Sequence, residues 1–167
     1  MIKIRKQIET DAEIVKSITA AATDELRSIY HPKQTKLKVE AGEPISIVAT
    51  IKKNVVGLAE YLVYADNILV RGLAVSPIYR KQGVARAIIG YLVLEAQKEG
   101  KAEIILSTVK ETGNANTFLH MGFTVISEGI SEIFEGIQGE PVTIVNMSKQ
   151  LQNNSLDPND AKKAPPV

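Results

Sequence analysis

The sequence contains no cysteine, no tryptophan and only two histidines, His31 and His120. Without cysteine, the chain cannot form disulfide bonds, zinc–thiolate sites or a cysteine-linked covalent intermediate. Two histidines are too few to build a histidine-ligated metal centre. We therefore expect a protein that works without a bound metal ion.

The chain also lacks a strong net charge and a long apolar segment. Its net charge of +1 at pH 7 gives no electrostatic reason to bind nucleic acid or a membrane surface. No apolar run approaches transmembrane length, and the first residues, MIKIRKQIETD, lack the apolar core of a secretory signal. Since 44% of the 167 residues are hydrophobic and 23% are charged, the composition is that of a globular domain. We expect it in the cytoplasm.

In the first half of the chain, hydrophobic periodicity predicts a strand, a helix and then three strands joined by short links. The helix is predicted to start at a capping box formed by Thr10 and Glu13, to break once, and to end at His31-Pro32. Links as short as Lys53-Asn54 require antiparallel neighbours. The predicted strands are Met1–Ile8, Ile45–Lys52, Val55–Val63 and Ile68–Val75.

The centre of the chain carries a strand, a basic turn with a glycine and a helix in succession. Ser76-Pro77 ends the strand because proline has no N–H for a ladder, and Gly100 ends the helix. In the turn, Arg80 to Ala85, Gly83 lets the backbone approach a ligand, and the first helical N–H groups have no intrahelical acceptor. This arrangement is typical of an anion-binding site. An isolated turn of this kind is more often an ordinary connection with a solvated basic loop.

The second half of the chain is predicted to complete the sheet. Its elements are, in order, the strand Glu103–Val109, the short helix Asn114–Met121 and the closing strands Phe123–Ser127 and Val142–Met147. The first of these strands should lie parallel to the strand before the central helix. Between the closing strands we predict an acidic loop, Gly129–Pro141. From Gln150 onward the chain is polar and contains prolines, which favours a frayed tail.

The central turn does not stand alone, because V-S-P-I-Y precedes Arg-x-x-Gly-x-Ala and an apolar helix follows it. This pattern resembles the acetyl-CoA signature of the GNAT family of N-acetyltransferases, which reads Gln/Arg-x-x-Gly-x-Gly/Ala at the same junction. A short helix that ends in Gly-Phe, here within Asn114 to Phe123, is a second resemblance. The resemblance as a whole covers about residues 1–150. A nucleotide-binding domain of another kind is disfavoured because neither GxGxxG nor GxxxxGK occurs.

The resemblance implies an α+β fold, a three-layer sandwich whose mixed, mostly antiparallel sheet carries helices on both faces. Two central parallel strands, which end near Val75 and Val109, are expected to splay apart and to receive the pantetheine arm of the cofactor. We expect one domain over residues 1–149 and a tail over residues 150–167.

The resemblance also implies acetyl-CoA as co-substrate. The main chain from Gln82 to Ala85 would bind its pyrophosphate, and the end of the strand before the turn would pair with pantetheine as an added strand would. Gly72 fits a bulge or the close approach of a ligand, and equally a glycine tolerated in a strand. The predicted cofactor-binding residues are Leu73, Ala74, Val75, Arg80, Lys81, Gln82, Gly83, Val84, Ala85, Glu111, Asn114 and Phe118.

The catalytic groups are less well indicated. A backbone N–H near Val75 is implied as the donor to the oxyanion. Many family members carry a proton-donating tyrosine five residues before the Gly-Phe phenylalanine; Phe118 stands there, which leaves His120 as a substitute acid or an ordinary surface residue. The cofactor strand has no glutamate, so Glu60 is the first candidate base and Asp66 the second. Either carboxylate is otherwise a solvent-facing strand residue.

We therefore expect an acetyl-CoA-dependent N-acetyltransferase in which a primary amine attacks directly in a ternary complex. A non-catalytic acyl-CoA-binding or sensing module is the alternative, motivated by Phe118 and by the missing strand glutamate. The acceptor is expected to be a small-molecule or peptide amine. The acidic segment with Glu132, Glu135 and Glu140 suits a cationic amine, or is a solvated surface loop. The sequence does not indicate the oligomeric state; a homodimer is one possibility, because dimers are common in the family that the chain resembles.

Overall fold

The computed structural model describes residues 1–34 and 41–152 of the chain. The α-helices are α1 (Ala12–Arg27), α2 (Val84–Lys98) and α3 (Asn114–His120). The strands are β1 (Ile2–Lys6), β2 (Tyr30–Pro32), β3 (Ile45–Ile51), β4 (Asn54–Val63), β5 (Asn67–Val75), β6 (Glu103–Val109), β7 (Thr124–Gly136) and β8 (Pro141–Gln150). Short 3-10 turns lie at Glu9–Asp11, Pro77–Tyr79 and Lys110–Thr112.

The described strands form one sheet in the order β1-β3-β4-β5-β6-β8-β7-β2. Every neighbouring pair is antiparallel except β5 and β6, which are parallel. The parallel pair is joined through α2, since a parallel connection needs a crossover. The predicted α+β fold with a mixed, mostly antiparallel sheet is therefore confirmed.

Helices cover both faces of the sheet. On the side here called the α2 face, Ile88, Leu92 and Ala96 of α2 are completely buried in the main core against β3, β4, β5, β6 and β8. On the opposite side, the α1 face, Ile18 packs with Val48, Leu58 and Ala74 of three adjacent strands. A further cluster on that face holds Tyr30 against Val109 and Val142. The site described below lies where these layers meet.

The parallel pair separates soon after it starts. β5 and β6 pair only from Asn67 with Glu103 to Leu69 with Ile105. Further along, β5 contains a bulge, because the four residues of β5 from Arg71 to Ala74 lie opposite only the three residues of β4 from Leu58 to Glu60. Gly72 lies within the bulge at φ +63°, a conformation that favours glycine. The splayed pair is therefore confirmed, and of the two interpretations of Gly72 the bulge is correct.

The predicted start of the first helix is wrong. The Thr10–Glu13 capping box does not form; the Asp11 carboxylate instead accepts the Ile8 N–H at 2.9 Å and pairs with Arg5 at 2.7 Å. The helix α1 also runs unbroken to Arg27. His31-Pro32 does not end it, because both residues belong to the short strand β2, which pairs with the end of β7.

The acidic loop predicted over Gly129–Pro141 is mostly strand. β7 extends to Gly136, and only residues 137–140 turn the chain into β8. Two irregularities against β8, at Val125/Ser127 and at Ile130/Glu135, break the side-chain alternation that would have revealed this strand.

The structure describes the end of the predicted domain and only the first residues of the predicted tail. Gln150 is the last residue of β8, and the Leu151 N–H donates to the Ala102 carbonyl at 2.9 Å. Most of the predicted tail, from residue 153 onward, lies outside the described residues. Among the described residues, no helix is long and apolar enough to cross a membrane.

Candidate active site

The turn between β5 and α2 exposes backbone N–H groups. Gly83 caps α2 at φ +85°, and the first bond of the helix is donated by the Ala87 N–H to the Gly83 carbonyl at 3.0 Å. The N–H groups of Val84, Ala85 and Arg86 precede that bond and have no acceptor within the helix. An alanine Cβ at position 83 would meet no atom within 4 Å, so the φ angle and the approach of a ligand are what favour glycine here.

A cavity of about 580 Å³ lies against this turn. It extends from the N-terminus of α2 along the end of β5 to α3, with the last turns of α1 as its opposite wall. The lining residues are Ala22, Glu25, Leu26, Leu73, Ala74, Val75, Tyr79, Arg80, Lys81, Gly83, Val84, Ala85, Arg86, Asn114, Thr117, Phe118 and Met121. All of the predicted cofactor-binding residues line this cavity except Gln82 and Glu111.

Two predicted residues have other contacts. The Gln82 side chain donates to the Ile78 carbonyl at 3.2 Å. The family resemblance predicts Glu111 as a cofactor-binding residue, because it stands at the spacing of a family asparagine. Its carboxylate instead accepts the Thr143 N–H of β8 at 3.0 and 3.1 Å, which ties the turn after β6 to the neighbouring strand.

The α1 wall was not predicted from the sequence. Ala22 and Leu26 continue the four-residue spacing from Ile18, which signals a buried stripe but not the element that it faces. Among the described residues that line the cavity, Glu25 is the one carboxylate. It holds the Arg80 guanidinium in a two-pronged ion pair with both N–O distances at 2.9 Å. Arg80 therefore links α1 to the anion-binding turn.

The end of β5 presents backbone groups to the gap between the parallel strands. The Ser76 N–H donates to the Val56 carbonyl at 2.8 Å, so Ser76 faces β4. Backbone direction alternates along an antiparallel ladder, and the N–H and carbonyl of Val75 consequently point away from β4. Arg80 Nε donates to this carbonyl at 3.3 Å. The Val75 N–H is thus directed into the gap, as an oxyanion donor requires.

The candidate bases differ in their positions. Glu60 lies on the α1 face, opposite Arg71 of β5, whose Nε donates to Glu60 Oε2 at 3.1 Å. This pair lies directly beside the bulge at Gly72. Asp66 lies at the start of β5, the end remote from the cavity. The structure therefore brings Glu60, and not Asp66, near the gap.

The candidate acids do not converge on the cavity. His120 is exposed at the end of α3, with Nδ1 at 2.6 Å from the Asn116 carbonyl, and it does not line the cavity. Phe118 does line it, and its ring packs edge-on against Phe123 at a centroid distance of 5.7 Å. An aromatic ring without a hydroxyl thus occupies the tyrosine position. Among the described residues, no three His, Cys, Asp or Glu side chains are grouped to hold a metal ion.

The splayed sheet, the anion-binding turn and the cavity between them are the features that the family resemblance implies for an acetyltransferase. Residues 43–125 match the sequence model of the acetyltransferase (GNAT) domain. The chain belongs to the GNAT family and is an N-acetyltransferase by class. A comparison with curated protein sequences gave no match.

Solved structures share this fold at low sequence identity. The chain is similar to the ribosomal-protein-S18-alanine N-acetyltransferase of Escherichia coli, with 19% identity, a TM-score of 0.64, and coverage of 94% of this chain and 99% of that chain. It is also similar to yncA of Salmonella typhimurium, solved with its cofactor acetyl-CoA, with 16% identity, a TM-score of 0.67, and coverage of 92% of this chain and 96% of that chain. A third similar structure is NAA60 of Arabidopsis thaliana, solved with a bisubstrate analogue, with 13% identity, a TM-score of 0.69, and coverage of 92% of this chain and 100% of that chain.

Proposed function

We propose that the protein transfers the acetyl group of acetyl-CoA to a primary amine by direct attack in a ternary complex. The observation that carries this proposal is the separation of β5 from β6 after Leu69 and Ile105, beside a cavity that ends at the N-terminus of α2. A thioester placed in the gap is reachable from the α1 face. Because the chain has no cysteine, the amine attacks the thioester itself and not an acyl-cysteine.

The cavity wall suits the phosphates of coenzyme A. It carries three cationic side chains, Arg80, Lys81 and Arg86, against the single carboxylate of Glu25. The unpaired N–H groups at the start of α2 and the positive end of its dipole favour an anion at the same place. Pantetheine would extend from there along β5 and exchange hydrogen bonds with the backbone of Leu73 and Val75.

The transfer uses groups of this chain at two points. The carboxylate of Glu60 accepts a proton from the acceptor amine, directly or through water. The amine nitrogen then attacks the thioester carbon, and the Val75 N–H stabilises the oxyanion, a contribution of roughly 3–4 kcal/mol for one such donor. As the carbonyl re-forms, the carbon–sulfur bond breaks and the thiolate leaves. We assign no general acid, since Phe118 has no proton to give.

Calorimetric titration with acetyl-CoA, followed by a thiol-release assay over a panel of amines, tests the proposal. Micromolar binding together with thiol release in the presence of an amine is the expected result. Binding without release for every amine class would instead favour a non-catalytic acyl-CoA-binding module. No binding at all would refute the site assignment.

The range of acceptors among structural neighbours is wide. One is named for the alanine of a ribosomal protein and another for the antibiotic nourseothricin, so we keep both small-molecule and peptide amines in the panel. A homodimer and a cytoplasmic location stay predictions. Light scattering of the purified protein and fractionation of the expressing cells are the measurements that test them.

A further inference from the structure

Three polar side chains form a continuous hydrogen-bonded row on the α1 face, here called the polar ladder. Ser107 of β6 donates to the Oδ1 atom of Asn146 of β8 at 2.6 Å, and Asn146 Nδ2 donates to the Oγ atom of Ser127 of β7 at 3.0 Å. The three residues are direct register partners across adjacent strands. The ladder therefore crosses the sheet at right angles to the strands.

The ladder has a direction. A 2.6 Å contact is the length of an O–H···O bond and 3.0 Å is that of an N–H···O bond, and both lengths agree with an Asn146 amide that accepts from Ser107 and donates to Ser127. The Ser107 hydroxyl uses its proton on Asn146 and keeps lone pairs to accept another donor. The Ser127 hydroxyl accepts from Asn146 and keeps its proton to donate. One end of the ladder thus accepts a hydrogen bond and the other end donates one.

The accepting end lies at the gap between the parallel strands. The last pair of β5 and β6 is Leu69 with Ile105, so Ser107 stands two residues beyond it, at the level of Arg71 on the other side of the gap. Arg71 is the residue before the Gly72 bulge. An amine that attacks a thioester in the gap from the α1 face therefore passes the Ser107 hydroxyl.

The ladder is accessible in the part of the chain that the structure describes. Ser107 and Ser127 are exposed and Asn146 is half-buried. The helix on this face, α1, packs mainly on β4, β5 and β2, and its Leu26 reaches the cluster of Val109 and Val142. The two exposed ends of the ladder, one that accepts a hydrogen bond and one that donates one, suit an acceptor substrate that supplies a donor and an acceptor atom at matching positions.

We propose that the polar ladder binds the first residues of a peptide whose N-terminal amine is the acetyl acceptor. This inference rests on the proposed acetyl transfer. The amine donates an N–H to Ser107 and keeps its lone pair for the thioester. Two strand spacings separate Ser107 from Ser127, about 10 Å. An extended peptide covers about 3.3–3.6 Å per residue, so a backbone carbonyl near its third residue reaches the Ser127 hydroxyl.

Chain length is the variable that tests the ladder. The affinity of the coenzyme A-saturated protein is measured by calorimetry for a pool of amino-acid amides and for a pool of tetrapeptide amides with all residues varied. We expect Ser127→Ala to weaken binding of the tetrapeptide pool by roughly 3- to 10-fold, the effect of one hydrogen bond, and to leave the amino-acid amides unchanged. Ser127→Thr, which keeps the hydroxyl, is expected to restore the affinity.

A matched control lies on the same strands and the same face. Gln150 of β8 donates to Glu103 of β6 at 2.9 Å, where the parallel pair is still closed. Gln150→Ala removes a similar exposed cross-strand contact away from the gap. We expect it to change neither the affinity for the tetrapeptide amides nor the affinity for the amino-acid amides. Acetyl-CoA affinity is expected to be unchanged in all these variants.

The outcomes separate the ladder from the reaction. The peptide assignment is overturned if tetrapeptides bind the Ser127→Ala variant as tightly as the wild type. It is also overturned if they bind neither the wild type nor any variant, even where small amines are acetylated. Length-dependent binding that Ser127→Ala removes supports the ladder even if no amine releases thiol, a result that would overturn acetyl transfer instead.

Discussion

Replacing Gly83 by alanine tests the anion-binding turn without filling space in the protein. Gly83 lies at φ +85°, and the new Cβ would meet no protein atom within 4 Å. The left-handed conformation costs an L-residue about 1–2 kcal/mol, which corresponds to a fall in melting temperature of about 2–8 °C for a domain of this size. The Cβ would instead occupy the space that a phosphate needs.

The expected loss of affinity is larger than the loss of stability. Hydrogen bonds to a charged group contribute about 1.5–3 kcal/mol each. If the Cβ displaces the phosphates from a single N–H at the start of α2, affinity for acetyl-CoA falls by about 10- to 100-fold. Calorimetry measures that affinity, and thermal unfolding without ligand measures the stability. Gly83→Asp adds a charge that repels the phosphates and should abolish binding.

Gly100 is the matched control at the other end of α2. It also has a positive φ, +68°, and its Cβ would also meet no atom within 4 Å. Gly100→Ala should therefore lower the melting temperature about as much as Gly83→Ala does, while acetyl-CoA affinity stays at the wild-type value. Equal affinities for the two variants would mean that the turn is structural and that the cofactor binds elsewhere.

The other predictions concern catalysis, packing and pH. Phe118→Tyr should raise the steady-state rate of thiol release if protonation of the leaving thiolate limits turnover; an unchanged rate would show that it does not. In Gly57→Ala the new Cβ would lie 2.8 Å from Val84 Cγ1, so overpacking should lower the free energy of unfolding by about 1–3 kcal/mol, and an unchanged denaturation midpoint would contradict this packing. The Arg5 guanidinium, by hydrogen-bonding the buried carboxylate, holds the pKa of Asp11 below its ordinary value against the opposing effect of burial. Stability from this pair is therefore present above the unfolded-state pKa and is lost as the pH falls through the folded-state pKa. Asp11→Asn should cost about 1 kcal/mol at pH 7, because Arg5 is partly exposed, and this cost should shrink as the pH falls through the folded-state pKa; a cost that does not change with pH in denaturant titrations would refute the assignment.

The cofactor side of the site was predictable because its signals are local. A proline after the strand, a glycine at the helix cap and the first residue of an apolar helix follow one another between Val75 and Val84. Each of them constrains the backbone directly. The order of the elements then requires a parallel neighbour for β5. The fold class and most of the residues around the turn therefore agree with the sequence pattern.

The parts that were missed depend on contacts between distant residues. The strand β2 forms because Tyr30 to Pro32 pair with the end of β7, about a hundred positions later in the chain. The residue Glu25 lies in the cavity wall and pairs there with Arg80, which is 55 positions later in the chain. The start of α1 is held by the contact between Arg5 of β1 and Asp11 at the helix cap, and not by the local capping pattern. No short stretch of sequence contains both β2 and the end of β7, or both Glu25 and Arg80.

The bulge at Gly72 exchanges the faces to which the side chains of β5 point, and the exposed Gly72 marks the exchange in the burial pattern. Ile68, Val70 and Ala74 are all buried at even positions, as in a regular strand. Ile68 and Val70 nevertheless pack in the α2 core, whereas Ala74 packs beneath α1. The chain on either side of Gly72 therefore follows two alternation patterns of opposite phase. A regular strand of the same length would turn Leu73 and Val75 toward α1 and Ala74 toward α2, so the extra residue of the bulge is what keeps each of these side chains in its own core.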